Sequence, residues 1–136
     1  MEAPLPRPLL YRPAPLFFGD DASDLVGATE TFFAGAAWTL TESDFADACP
    51  IATVALEVAS TNDDLRRSAA AVFDDWVRRA AARFVQHGIG EADAPGLARV
   101  VIMLLEGAFV LSRTTRSTIP LDDAGRVAAA EVRRLL

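Results

Sequence analysis

Lysine is absent from the 136-residue sequence, so all 13 basic residues are arginine, and cysteine and histidine occur once each. One cysteine cannot form a disulfide within the chain, nor a zinc site that needs several cysteines. One histidine excludes the paired-histidine motifs found at many metal sites. The sequence therefore predicts no metal site and no bound cofactor.

Long apolar runs are missing as well. The longest uncharged apolar run, residues 100–105, has six residues, whereas a membrane helix needs about 20. The N-terminus carries the acidic Glu2 and no apolar stretch of signal-peptide length. These features predict a cytoplasmic protein that does not contact a membrane.

Negative charge dominates, and it is unevenly distributed. The net charge is −6 and the pI is about 4.7. Residues 1–65 hold 2 arginines and 11 acids, which gives −9, and residues 66–136 hold 11 arginines and 8 acids, which gives +3. Because binding to nucleic acids depends on neutralising phosphates, we expect no direct nucleic-acid binding by this chain.

Apolar residues recur at helical spacing, and no useful stretch alternates with a period of two. Caps and breakers divide the pattern: Ser23 is a candidate N-cap, Thr61 or Asn62 is another, and Gly88 follows a third helix. The fold class is therefore predicted as all-α, an antiparallel bundle of about five helices. The predicted ranges are 23–42, 50–60, 62–87, 94–115 and 120 to the C-terminus.

Proline sets the first residues apart from the rest. Five of the eight prolines lie in the first 15 positions, where they fix φ and remove backbone donors. Residues 1–22 are predicted to be an extended, proline-rich tail, and residues 23–136 to be one helical domain.

The helix over 94–115 is apolar nearly all round, so it must be buried on several sides. A second copy would supply the missing cover, with the last two helices of each chain forming a four-helix dimer interface. The alternative is that both helices pack only within one chain. The predicted homodimer interface comprises Leu104, Ala108, Leu111, Leu121, Ala124, Ala128, Val132 and Leu135.

Large apolar side chains are numerous for a small helical domain. As a group they fit a mostly apolar pocket for a small molecule, although each one singly could be core. Thr53 and Glu57, one helical turn apart, are candidate polar contacts of the ligand. Glu106 lies seven residues from both Arg99 and Arg113, on the same helix face, which favours its being part of a charged stripe at the edge of the helix. The predicted ligand-binding residues are Phe32, Trp38, Thr53, Glu57, Phe73, Trp76, Met103 and Phe109.

No catalytic grouping is recognisable, and we predict that the chain is not an enzyme. Cys49 could act as a nucleophile only with a base beside it, and His87 is the sole imidazole. His87 is interpreted as the cap of a helix C-terminus. Cys49 precedes a helix, which could lower its pKa, but we favour a small buried side chain over a redox sensor.

Several short motifs occur in a distinctive order: residues 48–57 (ACPIATVALE), Leu65-Arg66, Phe73 and Trp76, residues 106–108 (EGA), and Ser112-Arg113. Together they resemble the C-terminal ligand-binding domain of TetR-family transcriptional repressors, in the LmrA/YxaF-like branch. The resemblance covers about residues 23–136. Ala48 stands where that group often has glycine.

The resemblance implies a ligand-sensing and dimerisation domain that binds an apolar or amphipathic small molecule. The alternative is an all-α adaptor without a ligand, which could form mixed dimers with a full-length regulator. Such repressors begin with a helix-turn-helix domain, and residues 1–22 do not fit one, although Leu10-Tyr11-Arg12 could be its end. The expectation is a regulator half without its own DNA-binding domain.

Overall fold

The computed structural model describes residues 24–46 and 49–136, and all regular structure within them is helical. This confirms the all-α prediction, and the helix ends differ from the predicted ends by at most two residues. The predicted proline-rich tail, residues 1–22, lies outside the described residues. The helices are α1 Leu25–Glu42, α2 Pro50–Val58, α3 Asp63–Gln86, α4 Ala94–Thr115 and α5 Ile119–Leu135.

Local capping explains where the helices begin and end. The N-cap of α1 is Asp24, whose Oδ1 accepts a hydrogen bond from the Gly27 N–H at 3.1 Å. This corrects the prediction of Ser23, because the carboxylate of Asp24 already satisfies a free N–H of the first turn. Asn62 caps α3 as predicted, and Gly88 follows α3 with φ of +106°.

Each helix packs against its neighbours in the spatial order α1, α5, α4, α3, α2. The core lies between α1, α4, α5 and the C-terminal half of α3. The closest approach is between α1 and α5, where a Cβ atom on Gly125 would lie 2.8 Å from Cβ of Phe33. The largest fully buried core side chains are Phe33, Leu40, Phe84, Val101, Leu121 and Val132.

The second helix is attached differently from the others. It packs mainly against α3, and Leu56 on its outer side is 77% exposed. Residues 63–68, at the start of α3, are exposed too. The second helix and the first part of α3 therefore extend beyond the main core. We call the region where α2, α3 and α4 come together the junction.

Part of the predicted dimer seam is wrong, because it lies inside the protomer. Its small residues let α5 pack closely on α1 and α4 of the same chain, which is the alternative given above. Leu104 and Leu135 are half-buried against the core, and Leu111 is exposed. The side chains buried within one protomer are Ala108, Leu121, Ala124, Ala128 and Val132.

Among the described residues, α4 alone is long and apolar enough to cross a membrane by length and composition. The core helix of a soluble protein meets the same criteria. Leu97, Val101 and Leu105 of this helix are buried in the core. Packing within the protomer therefore explains why the side of α4 that carries them is apolar.

Candidate functional site

One side of α4 presents an exposed apolar surface, which we call the α4 face and define as Met103, Gly107, Val110 and Leu111. Met103 is 63% exposed and Val110 is 57% exposed. A Cβ atom on Gly107 would meet nothing within 4 Å. A glycine between exposed apolar side chains allows a second helix to approach closely. Met103, predicted to contact a ligand, lies on this face.

The aromatic residues predicted to line a pocket separate into three groups. Phe73 and Trp76 are half-buried on α3 and pack edge to face, with ring centroids 5.4 Å apart. Phe32 and Phe109 pack against the main core, which is the alternative raised from the sequence. Trp38 is exposed. Phe32 also packs edge to face with Phe33 in the main core, whereas the Phe73–Trp76 pair lies outside that core.

The two polar residues predicted on α2 are exposed. The hydroxyl of Thr53 donates a hydrogen bond to the backbone oxygen of Cys49 at 3.3 Å, which ties it to its own helix. Glu57 lies one turn further along the same helix, and its side chain is in solvent.

A contact that the sequence pattern did not predict joins the start of α2 to α4. The thiol of Cys49 donates a hydrogen bond to the carboxyl group of Glu106. Oε1 of Glu106 is buried and accepts no hydrogen bond from any residue in the described ranges. Arg99 and Arg113 are exposed while Glu106 is half-buried, so the interpretation of Glu106 as part of a charged edge stripe is wrong.

Burial controls the protonation of this pair. It raises the pKa of the Glu106 carboxyl above its usual range, against the opposing effect of the Cys49 hydrogen bond. Burial, and to a lesser degree the charge of Glu106, raise the pKa of Cys49 to about 12, although N–H groups at the start of α2 oppose this. The expectation that the helix start could lower the pKa is therefore wrong, and the thiol is protonated at neutral pH.

Alkylation of Cys49 should consequently be slow in the folded protein. A pKa near 12 instead of 9.0 lowers the thiolate fraction about 1000-fold, and the greater nucleophilicity of a basic thiolate offsets part of this, leaving roughly 50-fold. Iodoacetamide labelling at pH 7.5, followed by mass spectrometry, measures the rate. The control is the same chain in urea, and equal rates in the two states would contradict the assignment.

The Phe73–Trp76 pair and Glu106 lie at similar depth in the bundle. A short turn, residues 87–93, joins α3 to α4, so the two helices run antiparallel. Trp76 lies ten residues before the end of α3 and Glu106 twelve residues after the start of α4, which at 1.5 Å per residue is ~15 and ~18 Å from the turn. We call Cys49, Phe73, Trp76 and Glu106 the junction site.

The turn that follows α1 is bound to the end of α4 through Asp44 and Phe45. The Arg113 side chain donates a hydrogen bond to the backbone oxygen of Phe45 at 3.2 Å. Arg116 forms an ion pair with Asp44, and its guanidinium lies 5.3 Å from the centre of the Phe45 ring. Asp44 and Phe45 have positive φ angles of 53° and 61°, a conformation that these contacts help to hold. Asp44 and Phe45, which follow α1, are thus anchored on the end of α4.

The remaining candidate for chemistry, His87, has a structural role. It is the C-cap of α3, and its Nδ1–H donates a hydrogen bond to the backbone oxygen of Arg83 at 2.9 Å. This confirms the capping interpretation. In the described part of the chain, no three histidine, cysteine, aspartate or glutamate side chains are grouped so that they could hold a metal ion.

Comparison with known proteins places the chain in a class of transcriptional regulators. Residues 26–127 match the family of transcriptional-regulator LmrA/YxaF-like C-terminal domains, within the TetR C-terminal domains. The chain belongs to this family, which confirms the resemblance seen in its motifs. No solved structure matches it.

Two relatives illustrate the relationship. An HTH-type transcriptional regulator of Mycobacterium tuberculosis is 41% identical over 88 residues, which cover 61% of this chain and 45% of the relative. The HTH-type transcriptional regulator YxaF of Bacillus subtilis is 28% identical over 102 residues, which cover 75% of this chain and 53% of the relative. The chain thus spans about half the length of these relatives.

Proposed function

We propose that this chain is the homodimeric sensing domain of a cytoplasmic TetR-like transcriptional regulator. It binds an apolar or amphipathic small molecule at the junction site and catalyses no reaction. DNA is contacted by another part of the regulator and not by this domain, since its charge of −6 disfavours contact with phosphates.

The observation that carries the proposal is the half-buried Phe73–Trp76 pair on α3, at similar depth to a buried carboxyl oxygen of Glu106 on the neighbouring helix α4. Apolar walls with a few polar groups are the usual form of a small-molecule site. One side of this site is formed by α2, which packs mainly on α3 and leaves Leu56 in solvent. A helix held by so few neighbours can move to admit a ligand.

The α4 face supports the dimer. Its exposed apolar side chains surround a glycine with open space, an arrangement that suits close packing of two helices. Glu106 of the junction site precedes Gly107 of the α4 face directly. A ligand that shifts α4 therefore changes the packing of the two copies, and this coupling would alter the separation of the DNA-binding parts.

Binding of a neutral apolar fluorophore tests the site. In a Trp38→Phe background Trp76 is the only indole, so N-phenyl-1-naphthylamine should quench its emission and raise the melting temperature with occupancy. Phe73→Ala, which removes one ring of the pair, should weaken this binding at least tenfold. Val85→Ala, on the same helix outside the junction site, is the matched control.

Unquenched emission with an unchanged melting temperature would favour the alternative of an adaptor without a ligand. Solvent extraction of the purified protein followed by mass spectrometry gives a second readout. A co-purified hydrophobic compound supports a sensing domain, and its loss in Phe73→Ala would locate it at the junction site.

A further inference from the structure

Glu106 has hydrogen-bonding capacity that the described part of the chain leaves unused. Its Oε1 atom is buried and has no partner among those residues, and its carboxyl group otherwise accepts from the Cys49 thiol. A buried acceptor without a donor lowers stability, and a charged one lowers it further. Among the described residues this acceptor is therefore unsatisfied, and a ligand that supplies a donor would stabilise it.

No cation within the described ranges neutralises this carboxyl. Arg99 and Arg113, seven residues away on either side of it in α4, are exposed, and Arg113 is engaged with Phe45. Burial dominates the raised pKa of Glu106, and no neighbouring positive charge lowers it. A cationic ligand would supply the positive charge that the described residues do not provide.

We propose that the ligand class of the junction site is an amphipathic amine, whose protonated nitrogen donates a hydrogen bond to Oε1 of Glu106. Its apolar part lies against Phe73 and Trp76. This assignment rests on the proposed function, because it names the ligand class of the same site. A protonated amine satisfies the buried acceptor and compensates its charge, whereas a neutral hydroxyl supplies only the hydrogen bond.

The aromatic pair suits the rest of such a ligand. Phe73 and Trp76 pack edge to face, so a ring face and a ring edge are presented at nearly right angles. An alkyl or aryl group can pack on this corner, and an ammonium near a tryptophan face gains a further attraction. A ligand with one apolar group and one amino group therefore suits this pair together with Glu106.

The test compares two compounds that differ only in their polar end, 4-phenylbutylamine and 4-phenylbutan-1-ol, by isothermal titration calorimetry at pH 7. The amine should bind the full chain at least tenfold more tightly than the alcohol. In Glu106→Gln the affinity for the amine should fall at least tenfold, while that for the alcohol stays within twofold. Glu30→Gln removes the same charge from the exposed surface of α1 and should change neither affinity.

Each outcome decides between the assignments. Equal affinities of the two compounds in the wild type, or an unchanged affinity of Glu106→Gln for the amine, would overturn the amine assignment while leaving an apolar site intact. If neither compound binds, the proposed site itself fails. Circular dichroism checks the fold of Glu106→Gln, and the ratio of affinities in the wild type decides the question without that variant.

Discussion

Replacing Val110 by aspartate is expected to convert the proposed dimer into folded monomers. Val110 lies on the α4 face and is 57% exposed in the protomer, so the carboxylate stays hydrated when the chain is alone. In a symmetric dimer the substitution places two such charges in an apolar interface. We expect the dissociation constant to rise at least 100-fold, about 3 kcal/mol, measured by light scattering at tens of micromolar.

Leu65→Asp is the control for this experiment. It introduces the same acid at an exposed apolar position, in the first turn of α3, where negative charge is favourable. This variant should remain dimeric. A wild type that is monomeric at tens of micromolar, or a Val110→Asp chain that still dimerises, would exclude the α4 face as the interface.

The helices were predictable because their signals are local. Asn62 caps α3 within its own first turn, and Gly88 ends the same helix through its own φ angle. The spacing of apolar residues shows which side of a helix is buried, but it does not show which other helix buries it. Ala128 and its neighbours therefore suggested a second copy, whereas the partner is α1 of the same chain together with α4.

The junction site could be predicted only in part. Phe73 and Trp76 are three residues apart on one helix, so their packing follows from helical geometry. Cys49 and Glu106 are 57 residues apart, and their contact depends on how α2 docks on the bundle. The available signal was a single acid inside the apolar run of α4, which spacing alone assigned to a charged stripe with Arg99 and Arg113.

The same substitution should have opposite effects on stability at two glycines. Gly125→Ala places a Cβ atom 2.8 Å from Cβ of Phe33, and Phe33 is buried in the core where it cannot swing away. The close contact between α1 and α5 must open, which costs about 1–3 kcal/mol. Urea unfolding at one fixed protein concentration measures the loss, since the stability of the proposed dimer would depend on concentration.

Gly35→Ala, on the exposed side of α1, is the matched control. A Cβ atom there meets nothing within 4 Å, so only the greater helix propensity of alanine acts, and stability should rise by about 0.5–1 kcal/mol. Gly125→Ala gains the same propensity, and a net loss therefore reports the crowding against Phe33. If both variants are stabilised alike, α1 and α5 are not in the close contact described. The small residues of α5 would then again be candidates for the dimer interface.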